Sequence, residues 1–280
     1  MNRRHFLGTG LIGGLGAVGI GAVGAGGVAQ GRKIFRPYES ALAESEVIRP
    51  VGLDLEAVAA EYRRQLFDEY LPFWENGGYD EERGGFMCYL HDDGTVQDDR
   101  KDIWYQGRGI WVYSFLYNNI DPNPKWLEMA KKTRDFMVKY MHRGDGTWID
   151  TVDRYGKPAE GLDYLRSGNI YGALFAAVGL IQFAKATGSD EDLELARKTI
   201  RKSMERYEDP FYAGITVPET SDLGLRAQGH SFMFVWVVPQ LLEIDPDPQL
   251  ESLAKQHLKL IGERFWNPEF GISNETLLHD

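Results

Sequence analysis

The chain holds a single cysteine, Cys88, in 280 residues. An intrachain disulfide is therefore impossible, and a cysteine-based zinc cluster is excluded. Histidine is scarce, with six copies, and no spacing among them reads as a metal site. Positive charge is in deficit: 31 Lys and Arg stand against 42 Asp and Glu, a formal net charge of -11. No block of Lys and Arg is available to release counterions from a polyanion, which argues against nucleic acid or an anionic membrane surface as partner. Long unbroken apolar runs are missing too. The most apolar stretch, Leu11 to Ala29, is interrupted by glycine throughout. What is present is a 43% hydrophobic share, enough for a sizeable core in one large or two small domains.

The N-terminus reads as an address. Asn2-Arg3-Arg4-His5-Phe6-Leu7-Gly8 sets a twin arginine ahead of Phe-Leu, and the glycine-broken run follows. Each glycine costs roughly 1 kcal/mol of helix propensity relative to alanine, so a stable membrane helix is not expected. The pattern resembles a twin-arginine (Tat) export signal, with Gly27-Val28-Ala29 as a weak cleavage site. Residues 1–31 are assigned to that segment and residues 32–52 to a polar tether. Such a signal implies a chain that folds before export, works in the periplasm or otherwise outside the inner membrane, and keeps no stable membrane span once the signal is removed. ATP is not maintained there, which argues against a nucleotide-dependent mechanism.

Residues 53–280 repeat one unit: a charged amphipathic helix, a short hairpin, a more apolar helix and a tight turn, with a period of roughly 60 residues. Charged helices are expected over Asp54 to Trp74, Lys125 to Met141, Asp190 to Tyr207 and Gln249 to Phe265. Apolar helices are expected from Ile103, over Ser167 to Ala186 and over Leu225 to Leu242. Hairpin signals occur at Gly84–Val96 with an Asp93-Gly94 turn, at Thr147–Pro158, at Asp209–Ile215 and at Asn267–Ile272. Alternating charged and apolar helices suit a two-layer ring with the apolar set inside. The predicted fold is therefore all-α, an α/α toroid forming an incomplete (α/α)6 barrel with short β-hairpins at one rim. The first turns of the inner helices open toward that rim.

The polar residues of the apolar helices lie in those first turns. In Trp104-Tyr105-Gln106-Gly107-Arg108-Gly109-Ile110-Trp111, the spacing of Trp104, Arg108 and Trp111 puts a guanidinium on one face with two indoles. Aromatic rings that cover a sugar's apolar faces, beside a fork of N–H donors for its oxygens, make a sugar site. A core helix whose Arg108 pairs with a carboxylate such as Asp102 fits the same spacing. Ser167, Asn169 and Tyr171 on the next apolar helix, and Gln228 and His230 on the third, complete the set. Ser167, Asn169 and Gln228 suit helix capping, while Arg108 and Tyr171 suit a cavity. His91, His142, His257 and His279 read as surface residues.

Leu71-Pro72-Phe73-Trp74, Gly84-Gly85-Phe86, Asp93-Gly94 and above all Gln106-Gly107-Arg108 with Trp111 and Tyr117 resemble the N-acylglucosamine 2-epimerase family, from about Leu53 onward. The resemblance implies a carbohydrate epimerase or isomerase acting at C2 of a sugar, with a small-molecule sugar as partner and no cofactor. It implies substrate-binding roles for Arg108 and Tyr171; Tyr105, Gln106, Trp111 and His230 complete the candidate substrate-binding set on their positions in the sequence. Two departures accompany it. Where many members carry a histidine and a carboxylate on the third inner helix, this chain has Phe232 and Val235, with His230 facing elsewhere. The family's later acid/base histidines have no match here, so the chain reads as the N-terminal part of the barrel and its catalytic residues are unassigned. An open ring with Arg108 and aromatics but no base pair would be an exported carbohydrate-binding protein, and uncovered helix flanks would favour homo-oligomers. A glycoside hydrolase or lyase on the same toroid could draw on Asp150, Asp153 and Glu160, though their spacing singles out no pair.

Overall fold

A computed structural model describes residues 54–158, 170–209 and 225–278. The chain divides into Met1–Pro37 and Tyr38–Asp280, and every described residue belongs to the second unit. The export segment, the tether, Glu160, Ser167, Asn169, His279 and most of the third hairpin signal lie outside the described residues.

Helices begin where the sequence caps them. Asp54 accepts from the backbone N–H of Glu56 at 3.0 Å and opens α1 (Leu55–Arg64). The run continues through π-helical turns at Gln65–Tyr70 and Trp74–Gly78, with α2 (Leu71–Phe73) between them, so Pro72 lies inside the helical run. Asn123, Ser189 and Asp247 cap α4 (Pro124–Met141), α6 (Asp190–Glu208) and α8 (Pro248–Leu260) in the same way. These three are the amphipathic outer helices. The inner set is α3 (Ile103–Asn119), α5 (Ile170–Thr187) and α7 (Gln228–Leu242).

The inner helices pack side by side, α3 on α5 and α5 on α7, and each packs on the outer helix that follows it. Every residue of α5 from Gly172 to Ala184 is buried, which its near-continuous apolar sequence requires. This is the expected two-layer α/α toroid arrangement. Close packing of α3 on α5 depends on two glycines: a Cβ at Gly107 would come within 2.3 Å of the Phe175 backbone, and one at the facing Gly179 within 2.6 Å of the Gly107 carbonyl oxygen. Any larger residue at position 107 would push α3 off α5.

Short strands line the rim at which the inner helices start. β1 (Tyr89–Leu90) and β2 (Val96–Asp98) form the expected hairpin around Asp93-Gly94. β3 (Lys101–Asp102) leads into α3 and pairs with β4 (Thr151–Val152), which follows α4. β5 (Leu225–Ala227) leads into α7, and β6 (Trp266–Asn267) and β7 (Ile272–Ser273) form the fourth expected hairpin. β5 pairs with β8 (Thr276–Leu278), so a strand entering an inner helix is again closed by one that follows the next outer helix. That pairing corrects the expected start of α7: residues 225–227 are extended, and the helix begins at Gln228, whose N–H donates to the Glu275 carbonyl at 2.8 Å.

Beneath the rim, a buried ion cluster ties the first two turn regions together. Lys101, with no exposed surface, donates to Asp80 Oδ2 at 3.0 Å and to the Gly84 carbonyl at 2.7 Å, and its ammonium lies 4.0 Å from the centre of the Phe136 ring. Arg154 grips the same carboxylate with both arms of its fork, at 2.8 and 2.9 Å. Burial alone would raise the pKa of Asp80, but the bonds from Arg154 and Lys101 outweigh it and hold the carboxyl well below the usual range.

Candidate active site on the inner face

The first turns of α3 carry three adjacent residues with three separate tasks. Gln106 is fully buried. Its Oε1 accepts from the Phe86 N–H at 2.7 Å, and its Nε2 donates to the Phe86 carbonyl at 2.8 Å and the Asp102 carbonyl at 3.2 Å. Expected among the substrate-binding residues, Gln106 is instead a clamp between helix and rim, with its amide donors already engaged. Gly107 seats α3 on α5. Arg108 is exposed, and its guanidinium carbon lies 5.0 Å from the Trp104 ring centre and 4.6 Å from that of Phe175.

The alternative pairing of Arg108 with Asp102 does not occur. Asp102 accepts from the Thr151 hydroxyl at 2.9 Å and the Tyr89 hydroxyl at 3.1 Å. Among the described residues Arg108 has no carboxylate partner, so its N–H groups are free for a ligand. Desolvation lowers its pKa, against a smaller opposing effect of Tyr105, and a guanidinium stays charged under such a shift.

Around Arg108 the three inner helices present a continuous aromatic face. Trp104 stacks on Phe175 with centroids 5.4 Å apart and on Tyr171 at 6.0 Å. Phe175 meets Trp236 edge to face at 5.7 Å, Trp236 meets Trp111 at 5.6 Å, and Trp111 stacks on Phe115 at 4.9 Å. Trp104 and Trp236 are 38% and 36% exposed, large values for indoles, so this face is open rather than core. The Trp111 Nε1–H donates to Gln240 Oε1 at 2.9 Å, and Gln182 Nε2 donates to the same oxygen at 2.9 Å, which fixes the lower edge of the face. Arg108 meets Trp104 and Phe175 directly, while Tyr171 joins the face through Trp104 and Trp111 through Trp236. Phe175, Trp236 and Gln240 were not singled out from the sequence, although Phe175 and Trp236 stand at helical spacing from Tyr171 and Phe232.

Tyr105 takes the flank of α3. It lines a slot of about 190 Å³ with Leu71, Trp74, Phe86 and Arg108, its ring 6.0 Å from that of Trp74. Tyr171 wedges its hydroxyl against α7, where a Cβ on Gly229 would nearly coincide with it. His230 is 2% exposed, with its ring edge-on to Tyr171 at 4.6 Å. Proposed for substrate binding, it is sealed behind the face. Burial, reinforced by His257, brings its pKa down to about 4. Phe232, at the position expected for the family histidine, is 42% exposed. The carboxylate of Asp153 caps its own turn, accepting from the N–H groups of Tyr155 and Lys157, which removes it from a hydrolytic pair.

His257 corrects another expectation. It is not a surface residue but 2% exposed, stacked on Phe234 at 4.4 Å, with Nδ1 3.1 Å from Ser231 Oγ, which in turn lies 3.1 Å from the Tyr207 hydroxyl. Burial first, and then Arg226, lower its pKa to about 4. Both histidines therefore fold neutral, while the unfolded chain takes up protons near 6.5. Stability is complete above that value and falls as pH drops toward 4, by about 3 kcal/mol per histidine at 1.36 kcal/mol per pKa unit. Urea midpoints measured between pH 7 and 4.5 should fall steeply. A flat profile across that window would contradict neutral burial of the pair.

Comparison with known proteins bears on the family and the fold. Residues 84–235 match the family model for N-acylglucosamine 2-epimerase (GlcNAc 2-epimerase). The chain is 27% identical over 192 residues to N-acylglucosamine 2-epimerase of Mus musculus, covering 65% of this chain and 43% of that protein. It is 31% identical over 148 residues to cellobiose 2-epimerase of Eubacterium cellulosolvens, covering 52% of this chain and 35% of that protein. The solved structure of cellobiose 2-epimerase from Spirochaeta thermophila DSM 6192 superposes with a TM-score of 0.64 at 20% identity, over 76% of this chain and 55% of that one, which speaks to the fold alone. The chain spans about half the length of that structure and less than half of these curated relatives.

Proposed function

The chain belongs to the N-acylglucosamine 2-epimerase family, and on that premise we propose that it serves proton exchange at C2 of a sugar, with the inner aromatic face holding the substrate. The observation that carries this reading is Arg108, a guanidinium without a carboxylate partner among the described residues, resting against the stacked rings of Trp104 and Phe175. An opened sugar lying on the indoles would place its C1 and C2 oxygens against the fork of Arg108. Removal of the C2 proton beside the aldehyde sends charge onto the C1 oxygen, and the guanidinium stabilises the resulting enediolate. The base and acid need pKa values near neutrality. His230 offers neither access nor that pKa, so it is not the proton carrier.

That gap supports a second reading, carbohydrate binding without turnover. Incubation of N-acetylglucosamine, mannose or cellobiose in heavy water separates the two. Loss of the C2 proton signal from one of these sugars is expected for an epimerase. Retention of the proton in all three, with binding intact, would leave the binding reading alone.

We also infer export through the Tat route, on the support of Arg3-Arg4 ahead of Phe6-Leu7 and the glycine-rich run. Replacing both arginines by lysine should retain the protein in the cytoplasm on fractionation, and unchanged export would remove this inference.

A further inference from the structure

The outer layer carries a groove that the sugar chemistry of the inner face does not use. It has a volume of about 330 Å³, at the lower end of small-molecule sites, and lies between α4 and two rim turns. One turn contributes Glu82 and Arg83, the other Tyr155, and α4 contributes Lys132, Asp135 and Lys139. The walls are preformed. Asp80 in the first turn is bound to Arg154 in the second, and Gly156, at φ +90°, lays the second turn flat on Tyr140, where a Cβ would come within 2.4 Å of the ring.

Charge is unevenly satisfied in this groove. Asp135 is paired with Lys131 at 2.7 Å and Arg134 at 3.1 Å, and Glu82 with Arg83 and Arg154, both at 3.3 Å. Lys132 and Lys139 have no carboxylate partner among the described residues, although the chain as a whole carries a net charge of -11. The groove is therefore a local cationic site on an acidic protein. Its other feature is aromatic: Tyr155 is 57% exposed, with Arg83 4.3 Å from its ring centre. Ammonium groups without a carboxylate partner, Lys139 lying over the Tyr140 ring at 4.8 Å, suit a carboxylate; the Tyr155 ring face that Arg83 leaves open suits the apolar face of a pyranose, and the neutralised carboxylates remain as acceptors for hydroxyl groups.

We propose that this groove is a second binding site, separate from the inner face, for an acidic saccharide of the uronic acid type. The carboxylate lies between Lys132 and Lys139, and the sugar ring rests on Tyr155. Titration of the full chain with glucuronate, glucose and inorganic phosphate tests this by calorimetry at low ionic strength, where attraction between exposed charges is least screened. Glucuronate is expected to bind in the Arg108→Ala chain as in the wild type. The double substitution Lys132→Ala, Lys139→Ala should weaken it at least tenfold, and Tyr155→Ala should weaken it while leaving any phosphate binding unchanged. Glucose should not compete. No glucuronate binding, affinity unaffected by the lysine pair, or loss of binding with Arg108 would each overturn the proposal. Phosphate binding as tightly as glucuronate would show an anion site without saccharide recognition and overturn it as well.

Discussion

Replacing Arg108 by alanine is expected to weaken sugar binding by about 10- to 100-fold, since a hydrogen bond from a charged donor contributes about 1.5–3 kcal/mol. If the C2 proton exchanges in the wild type, the same substitution should slow that exchange further, by about 10²–10³, because a donor aimed at a developing oxyanion matters most in the transition state. The fold should hardly notice. Arg108 is exposed, has no carboxylate partner among the described residues, and stacks on the rings of Trp104 and Phe175, contacts of about 0.5–1 kcal/mol. An unfolding midpoint near that of the wild type, alongside the lost affinity, marks Arg108 as a ligand-binding residue. A large loss of stability instead would return it to the core.

The second large effect is on the fold itself. Asp80→Asn removes the one carboxylate shared by Lys101 and Arg154 and leaves a fully buried ammonium without its counter-charge. Breaking a buried pair from one side costs about 3–5 kcal/mol, because the remaining charge stays desolvated. Lys101→Met should cost less, since Asp80 keeps both bonds from Arg154 and the methionine refills the space over Phe136. The order of the two, read from urea unfolding, is the test. Equal losses, or a loss below about 1 kcal/mol for Asp80→Asn, would mean that the cluster does not hold the rim.

The parts of this architecture legible in the sequence are those written in local periodicity. The alternation of charged and apolar helices announces the two layers. The i, i+4 step from Trp104 to Arg108 put the guanidinium on an indole. Gln106 shows the limit of such reasoning. Nothing local distinguishes an amide that meets a sugar from one that bonds the backbone of Phe86, twenty residues earlier, because that contact exists only once the rim has folded. The Asp80–Lys101–Arg154 cluster was hidden for the same reason, its members being joined across several elements. His257 continues the buried stripe of Leu250 and Leu253 on α8, a pattern that the charged residues around it mask in the sequence. Phe175 is buried and Trp236 is 36% exposed, a difference that the similar apolar spacing of their two helices does not reveal.

The central claim, that the face formed by Trp104, Arg108, Trp111 and Trp236 holds the sugar, is tested most directly by following the tryptophan indole N–H signals in a nitrogen-labelled chain during titration with N-acetylglucosamine, mannose and cellobiose. The account predicts that at least one of these sugars shifts the Trp104 signal, with smaller changes at Trp111, whose N–H is already bonded to Gln240. It predicts that Arg108→Ala abolishes the shift at the same sugar concentration. If no sugar moves either signal, or if the shift persists without Arg108, the inner face is not the substrate site.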